Sequence, residues 1–239
     1  MEKKNQIKEA CIIATGILLG LVVLGLSLKG GIDNFTNRDR RVTVKGLAEK
    51  EVEADKVTWP IQTKELGNDL PSLYSKINAT TAAIKQFLLK NGVKQEEISV
   101  NAPTVIDLNA ERYGENRRDY RYNITSTITV VSSNVKLVRS IIARQGELLQ
   151  QGIAIVDGGY EAPIHYDFVA FKEMKPQMMR EAIENAEKTA LQFAENSHSQ
   201  LNKIVTADQG QFSIDDRDEN TPYIKKVRVV TTVTYSLKD

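Results

Sequence analysis

The stretch Tyr122-Asn123-Ile124-Thr125-Ser126-Thr127-Ile128-Thr129-Val130 decides the fold class, because its residues alternate without a break. Tyr122, Ile124, Ser126, Ile128 and Val130 take one face, and Asn123, Thr125, Thr127 and Thr129 the other. A period of two, rich in β-branched residues, predicts a half-buried strand with one covered face. The signature returns at the C-terminal end, where Val227, Val229, Thr231, Val233, Tyr235 and Leu237 alternate with Arg228, Val230, Thr232, Thr234 and Ser236. Upstream it is present in Val42-Thr43-Val44-Lys45-Gly46, and again in Val57, Trp59 and Ile61 set against Thr58, Pro60 and Gln62. A charged piece, Glu49 to Asp55, separates these two strands. Pro60 has no N–H for a ladder, so its strand is expected to be bulged there or to lie at an edge.

Between the strands the period changes to that of a helix. Leu70, Leu73, Ile77, Ile84 and Leu88 form one stripe over Leu70 to Lys90, with Pro71 near the start and Asn91-Gly92 at the exit. Ile98 to Leu108 reads as a strand, and the polar run Asn109 to Arg121 as a hairpin loop. Ser132-Ser133-Asn134 offers caps for a helix with Val135, Val138, Ile141 and Ile142 inward, ending near Gly152. Ile153 to Asp157 and Tyr160 to Phe171 read as extended, with Ile164, Tyr166 and Phe168 on one face. A long helix follows from Glu173 or Gln177 to Ser197, with Ala182, Ala186, Ala190 and Ala194 every four residues and Ile183 and Phe193 nearby. A strand near Lys203 to Ala207 and an acidic loop from Asp208 to Pro222 precede the last strand. Clustered strands with helices on one face indicate an α+β fold rather than a doubly wound sheet.

The N-terminal region is of another kind. Ala10 to Leu28, ACIIATGILLGLVVLGLSL, is nineteen residues without a charge. As a helix it spans about 28 Å, close to the roughly 30 Å of a bilayer's hydrocarbon. Gly16, Gly20 and Gly25 suit a membrane helix better than a soluble one. Lys3, Lys4 and Lys8 make a basic n-region, but no small-x-small cleavage pair follows the apolar run, and Cys11 stands too early for a lipoprotein box. An uncleaved transmembrane signal anchor is therefore expected at 10–28, after a tail of 1–9 and before a linker of 29–39 and a domain of 40–239. Lys29, Arg38, Arg40 and Arg41 rival the lysines before the helix, so charge counting alone leaves orientation open. A short basic tail before a first apolar helix is the usual export signal, and it favours an inner-membrane, single-pass protein with its C-terminal domain in the periplasm.

Several short pieces of the domain resemble the SIMPL-domain family (domain of unknown function 541), which includes periplasmic immunogen-type proteins of bacteria. They are Val42-Thr43-Val44-Lys45-Gly46 followed by Glu51-Val52-Glu53-Ala54-Asp55-Lys56-Val57, then Asn91-Gly92-Val93 with Glu96-Glu97-Ile98, the helix Glu181-Ala182-Ile183 to Ala194, and the closing strand Val227 to Leu237. Ala54 stands where the family often has Pro, and Trp59-Pro60 and Tyr160 to Asp167 also depart from its pattern. The resemblance implies an α+β envelope protein without established enzymatic chemistry. Some relatives look like oligomeric ring- or channel-like assemblies, and some are associated with stress tolerance. It implies no catalytic residues to carry over.

The residues give little chemistry of their own. Net charge is +1, which offers no footprint for nucleic acid. The only cysteine is Cys11, so the domain has no disulfide, Cys-ligated zinc or Cys nucleophile. His165 and His198 are the only histidines. Glu161, His165 and Asp167 share one strand face, which makes a metal site conceivable, but the plainer reading of a polar face opposite Ile164, Tyr166 and Phe168 is the stronger one. His198 suits the negative end of a helix. Asp215-Asp216-Arg217-Asp218-Glu219 lacks the EF-hand spacing, so it reads as a solvated loop rather than a calcium site. Gly158-Gly159 has neither the lysine nor the spacing of a nucleotide loop. The basic loop Arg112 to Arg121, with Tyr113 and Tyr120, is diluted by Glu111, Glu115 and Asp119. Trp59 reads as core and the Ala stripe as packing.

No catalytic, cofactor or metal residue is assigned, and the chain is expected not to be an enzyme. The first expectation is a membrane-anchored scaffold that pairs with copies of itself through sheet edges or helix faces. The second is a small-ligand or peptide-binding module using the sheet face around Trp59 and Tyr166. An enzyme using Glu161, His165 and Asp167 comes third.

Overall fold

A computed structural model describes the backbone of residues 2–36, 40–110, 119–156 and 162–238, and the side chains of these residues apart from 2–13, 30 and 33–36. The elements are helices and antiparallel strand pairs, an α+β fold as the patterning predicts. The chain divides into two units. One comprises residues 1–49, 176–212 and 228–239, and the other residues 50–175 and 213–227.

The second unit is built on β2 (Lys56–Gly67) and β5 (Tyr122–Ser132), which pair antiparallel along their whole length, from Val57 opposite Ser132 to Gly67 opposite Tyr122. On the far side of β5 lie β3 (Ile98–Val100) and β4 (Thr104–Asp107). These were expected to be one strand. Pro103, which has no N–H to give a ladder, lies in the break between them. On the far side of β2 lies β6 (His165–Asp167), paired with Lys56 to Thr58. The expected strand Tyr160 to Phe171 shrinks to these three residues, while 157–161 lie outside the described residues. The Gln62 carbonyl accepts from the Val156 amide at 2.8 Å. By strand alternation Pro60 turns its donorless nitrogen to that same side. It thus falls in the gap between the Thr58–His165 pair and the Gln62–Val156 bridge, so β2 tolerates a proline without lying at the edge of the sheet.

Helices cover this sheet. In α2 (Leu70–Lys90), Asp69 caps the first turn by accepting from the Ser72 amide at 2.9 Å, and Gly92 takes φ +93 just past the end. Its stripe buries Leu73, Ile77, Ile84, Phe87 and Leu88, while Leu70 stays exposed. The helix expected from Val135 to Gly152 is two, α3 (Val135–Ala143) and α4 (Gly146–Gln150). The α3 end tightens into i−3 bonds, Arg144 to Ile141 at 2.9 Å and Gln145 to Ile142 at 3.1 Å, which turn the chain before α4 begins. Asn134 caps α3 through the Leu137 amide at 3.1 Å. Val57, Trp59, Ile61, Ile128, Val130, Ile84, Leu88, Val138, Ile141 and Leu148 make one core between sheet and helices. Fully burying a side chain such as Leu88 contributes about 1.5–3 kcal/mol.

The first unit holds most of α5 (Phe171–Asn196) and of a sheet ordered β1 (Arg41–Glu53), β9 (Ile224–Lys238), β7 (Gln200–Asp208), with β8 (Phe212–Asp216) also paired to β9. Ala186 and Ala190 pack against Val44, Val233 and Tyr235 in a single core, and Ala182 and Ala194 are buried as well. The small side chains let α5 lie close on the sheet, as the stripe predicts. Ile183 and Phe193 are exposed instead.

Two further expectations change here. β1 runs on through the charged piece to Glu53, and β8 forms inside what reads as an acidic loop. Its sequence, Phe212-Ser213-Ile214-Asp215-Asp216, has no buried member, so burial leaves no periodic trace in it.

The N-terminal helix α1 (Glu2–Thr36) continues through Gly30-Gly31, where a linker was expected from residue 29. Among the described residues no helix is long and apolar enough to cross a membrane. Residues 10–13 of the expected anchor lie outside the described side chains, and those of 14–29 are all exposed.

Candidate functional site

The three residues that share a face by strand period, Glu161, His165 and Asp167, do not all fall among the described residues. Glu161 lies outside them, and His165 and Asp167 sit exposed on β6 opposite half-buried Ile164, Tyr166 and Phe168. Among the described residues no three His, Cys, Asp or Glu side chains are grouped as a metal would require.

The acidic stretch 215–219 is largely committed to its own chain. Asp216 pairs with Lys225, a lysine buried to 8% exposure on β9. Asp218 accepts from the amides of Asn220 and Thr221 at 2.9 and 2.8 Å, from the Thr221 hydroxyl, and from Arg217 at 3.0 Å. The Thr221 hydroxyl, with the Arg217 guanidinium, holds the Asp218 carboxyl down at about 2. Each carboxylate oxygen thus accepts two hydrogen bonds, all from the turn before β9 and its flank.

His198 follows the end of α5 at φ +54, in the left-handed region, and its amide donates to Glu195 at 3.0 Å. It occupies the position where a helix commonly takes Gly, so its place is structural. Gly158-Gly159 and residues 111–118 of the basic loop lie outside the described residues. At the base of that loop Arg121 donates to Asp107 at 2.9 and 3.1 Å and stacks 4.8 Å over Tyr122. Its guanidinium holds the Asp107 carboxyl below the usual range.

Of the concavities on the second unit, one of about 230 Å³ lies along Gln86, Lys90, Arg144 and Glu147, and two are wider. One of these two, of about 570 Å³, is lined by Asp55, Lys56, Val131, Ser132, Val169 and Ala170. The Asp55 carboxylate accepts from the Val169 and Ala170 amides at 2.6 and 2.7 Å, just ahead of α5. The Ser132 hydroxyl donates to Glu97 at 2.6 Å. Glu97 is raised by its partial burial, but the Ser132 bond, the Lys94 amide and the Lys94 charge outweigh this and leave it lowered. Asp55 and Ser132 are thus engaged in holding elements together.

The other, of about 470 Å³, differs in kind. Helix α3 contributes Arg139, Ile142 and Ala143, and the chain around β6 contributes Ile164 and Tyr166. The turn leading into β9 contributes Glu219, Asn220, Pro222 and Tyr223. The Tyr223 carbonyl accepts from the Ala54 amide at 2.8 Å, which fixes that turn. The Arg139 guanidinium lies 3.2 Å from the centre of the Tyr223 ring. Tyr166 meets the same ring edge-on, centroids 6.2 Å apart at 70°. Burial pushes the Tyr166 hydroxyl up, with Arg139 opposing and Tyr223 adding to the rise, so it stays a neutral donor.

This groove takes up one half of the expected ligand face. Tyr166 lines it, whereas Trp59 is 3% exposed and belongs to the core. Arg139 and Tyr223 are not legible in the sequence, because a stacked pair 84 residues apart leaves no local pattern.

The comparisons bear on the whole domain. The family model for SIMPL, a protein of unknown function (DUF541), matches residues 42–235. The search of curated proteins found no match. Over the strands from β1 to β9 that carry both units, the chain belongs to the SIMPL (DUF541) family.

Proposed function

We propose that this SIMPL protein is a non-enzymatic, membrane-anchored protein of the bacterial envelope, its domain outside the cytoplasm and assembled with copies of itself. The observation that carries assembly is the apolar surface left on the first unit. α5 turns its alanines inward and leaves Ile183, Leu191 and Phe193 outside, Phe193 to 57%. β7, an outer strand, leaves Ile204 and Val205 exposed. Unpaired strand edges and large exposed apolar residues are where chains associate. Register shifts between Leu201, Ile204 and Thr206 blunt part of β7, which leaves the α5 flanks the larger share.

The anchor rests on the uncharged run Ala10 to Leu28 and on α1, whose Ile17, Leu18, Leu19 and Leu21 are all exposed. Lipid is the partner that such a surface fits. An anchor also confines copies to one plane, which raises their effective concentration and lets modest contacts suffice. A role in envelope stress tolerance is part of the same proposal, by family resemblance.

A cysteine placed at Phe193 in a Cys11→Ser chain tests assembly in the membrane. Oxidation is expected to give a disulfide-linked dimer that is absent when the cysteine is placed at exposed Glu96. Equal or absent cross-linking at the two positions contradicts the reading.

A further inference from the structure

We propose that the groove between α3 and the turn into β9 binds a free α-amino acid with an apolar or aromatic side chain, Arg139 taking its carboxylate and Glu219 its ammonium. This goes beyond the assembly reading and does not depend on it. Arg139 is half-buried, and its face is used against Tyr223. Stacking leaves the N–H donors at the rim of the guanidinium pointing outward in its plane, the geometry that grips a carboxylate in two places. Among the described residues no carboxylate or carbonyl holds them.

Glu219 lines the same groove and is exposed, and it too has no partner among the described residues. The two charges therefore share one groove without pairing. A simple anion is opposed by Glu219 and a simple cation by Arg139. A ligand with both charges on one carbon is complementary to the pair. Tyr166, Tyr223 and Ile142 supply an aromatic and aliphatic wall for the rest of the molecule. A volume of about 470 Å³ suits a molecule of that size.

Calorimetric titration of the full chain in detergent micelles with L-phenylalanine tests the proposal. Saturable binding is expected, with Kd on the order of 1 mM or tighter. L-Phenylalaninamide, which lacks the carboxylate, and N-acetyl-L-phenylalanine, which lacks the ammonium, are each expected to bind about tenfold more weakly or worse. Arg139→Gln should erase the penalty of the amide, and Glu219→Gln the penalty of the acetyl group. Arg139 also holds Tyr223, so the exposed position Glu219 decides if Arg139→Gln fails to fold. No heat from L-phenylalanine, equal binding of the three compounds, or an unchanged preference in Glu219→Gln overturns the proposal.

Discussion

Gly46 on β1 lies so close to Ala182 on α5 that a Cβ added to the glycine would run into the Ala182 carbonyl oxygen, and it would also crowd the backbone nitrogen and Cβ of Ala186, at 2.7 and 2.8 Å. Two of the neighbouring atoms are backbone, so no side chain can swing aside. Gly46→Ala is expected to destabilise the chain by about 1–3 kcal/mol through overpacking. Urea unfolding followed by circular dichroism measures this. An unchanged midpoint would show that α5 does not lie against β1 as described.

Asp55 holds the start of α5 by accepting two amides, from Val169 and Ala170. Asp55→Ala leaves both donors without their acceptor and should cost about 1–3 kcal/mol. Asp55→Asn keeps one carbonyl acceptor and should cost about half as much. Equal losses for the two variants would mean that shape, not hydrogen bonding, matters there.

The Asp218 carboxyl is held near 2 in the folded chain against an ordinary 3.8. A depressed folded value contributes stability that is present above 3.8 and is lost as pH falls from there towards about 2. Asp218→Asn should therefore flatten the acid limb of the stability profile in that window and leave its slope near neutrality unchanged. Salt should weaken the wild-type effect, since the Arg217 partner is exposed to solvent. An acid limb identical in the two proteins contradicts the assignment.

His198 sits at φ +54, where a residue with a Cβ carries a backbone cost of about 1–2 kcal/mol. His198→Gly should relieve it and raise stability by up to about 1 kcal/mol. His198→Val, β-branched and ill suited to this region, should lower stability by about 1–2 kcal/mol. Thermal unfolding measures both, and a destabilised glycine variant would assign His198 a contact worth more than the strain.

The reach of the sequence follows from where burial is periodic. β5 and β9 are legible because alternate residues, Ile124, Ser126, Ile128 and Val130 in one, Val227, Val229, Thr231 and Val233 in the other, are buried without interruption. The stripe of α2 and the alanines of α5 are legible on the same ground. β8 and the Glu49 to Glu53 extension of β1 are not, since nearly all of their side chains meet solvent and their strand pairing is a backbone matter. The groove was half visible through Tyr166. Its other members come together only once the turn into β9 is tied to Ala54, a bond between residues 54 and 223 that no local pattern encodes.

The most direct measurement of the central claim is the mass of the full chain in detergent micelles, by light scattering during gel filtration, beside the double variant Leu191→Asp, Phe193→Asp. The account predicts a discrete assembly of several copies for the wild-type chain and a smaller species for the variant, whose changes fall on side chains that α5 leaves exposed. A wild-type chain that stays monomeric across a concentration series contradicts it.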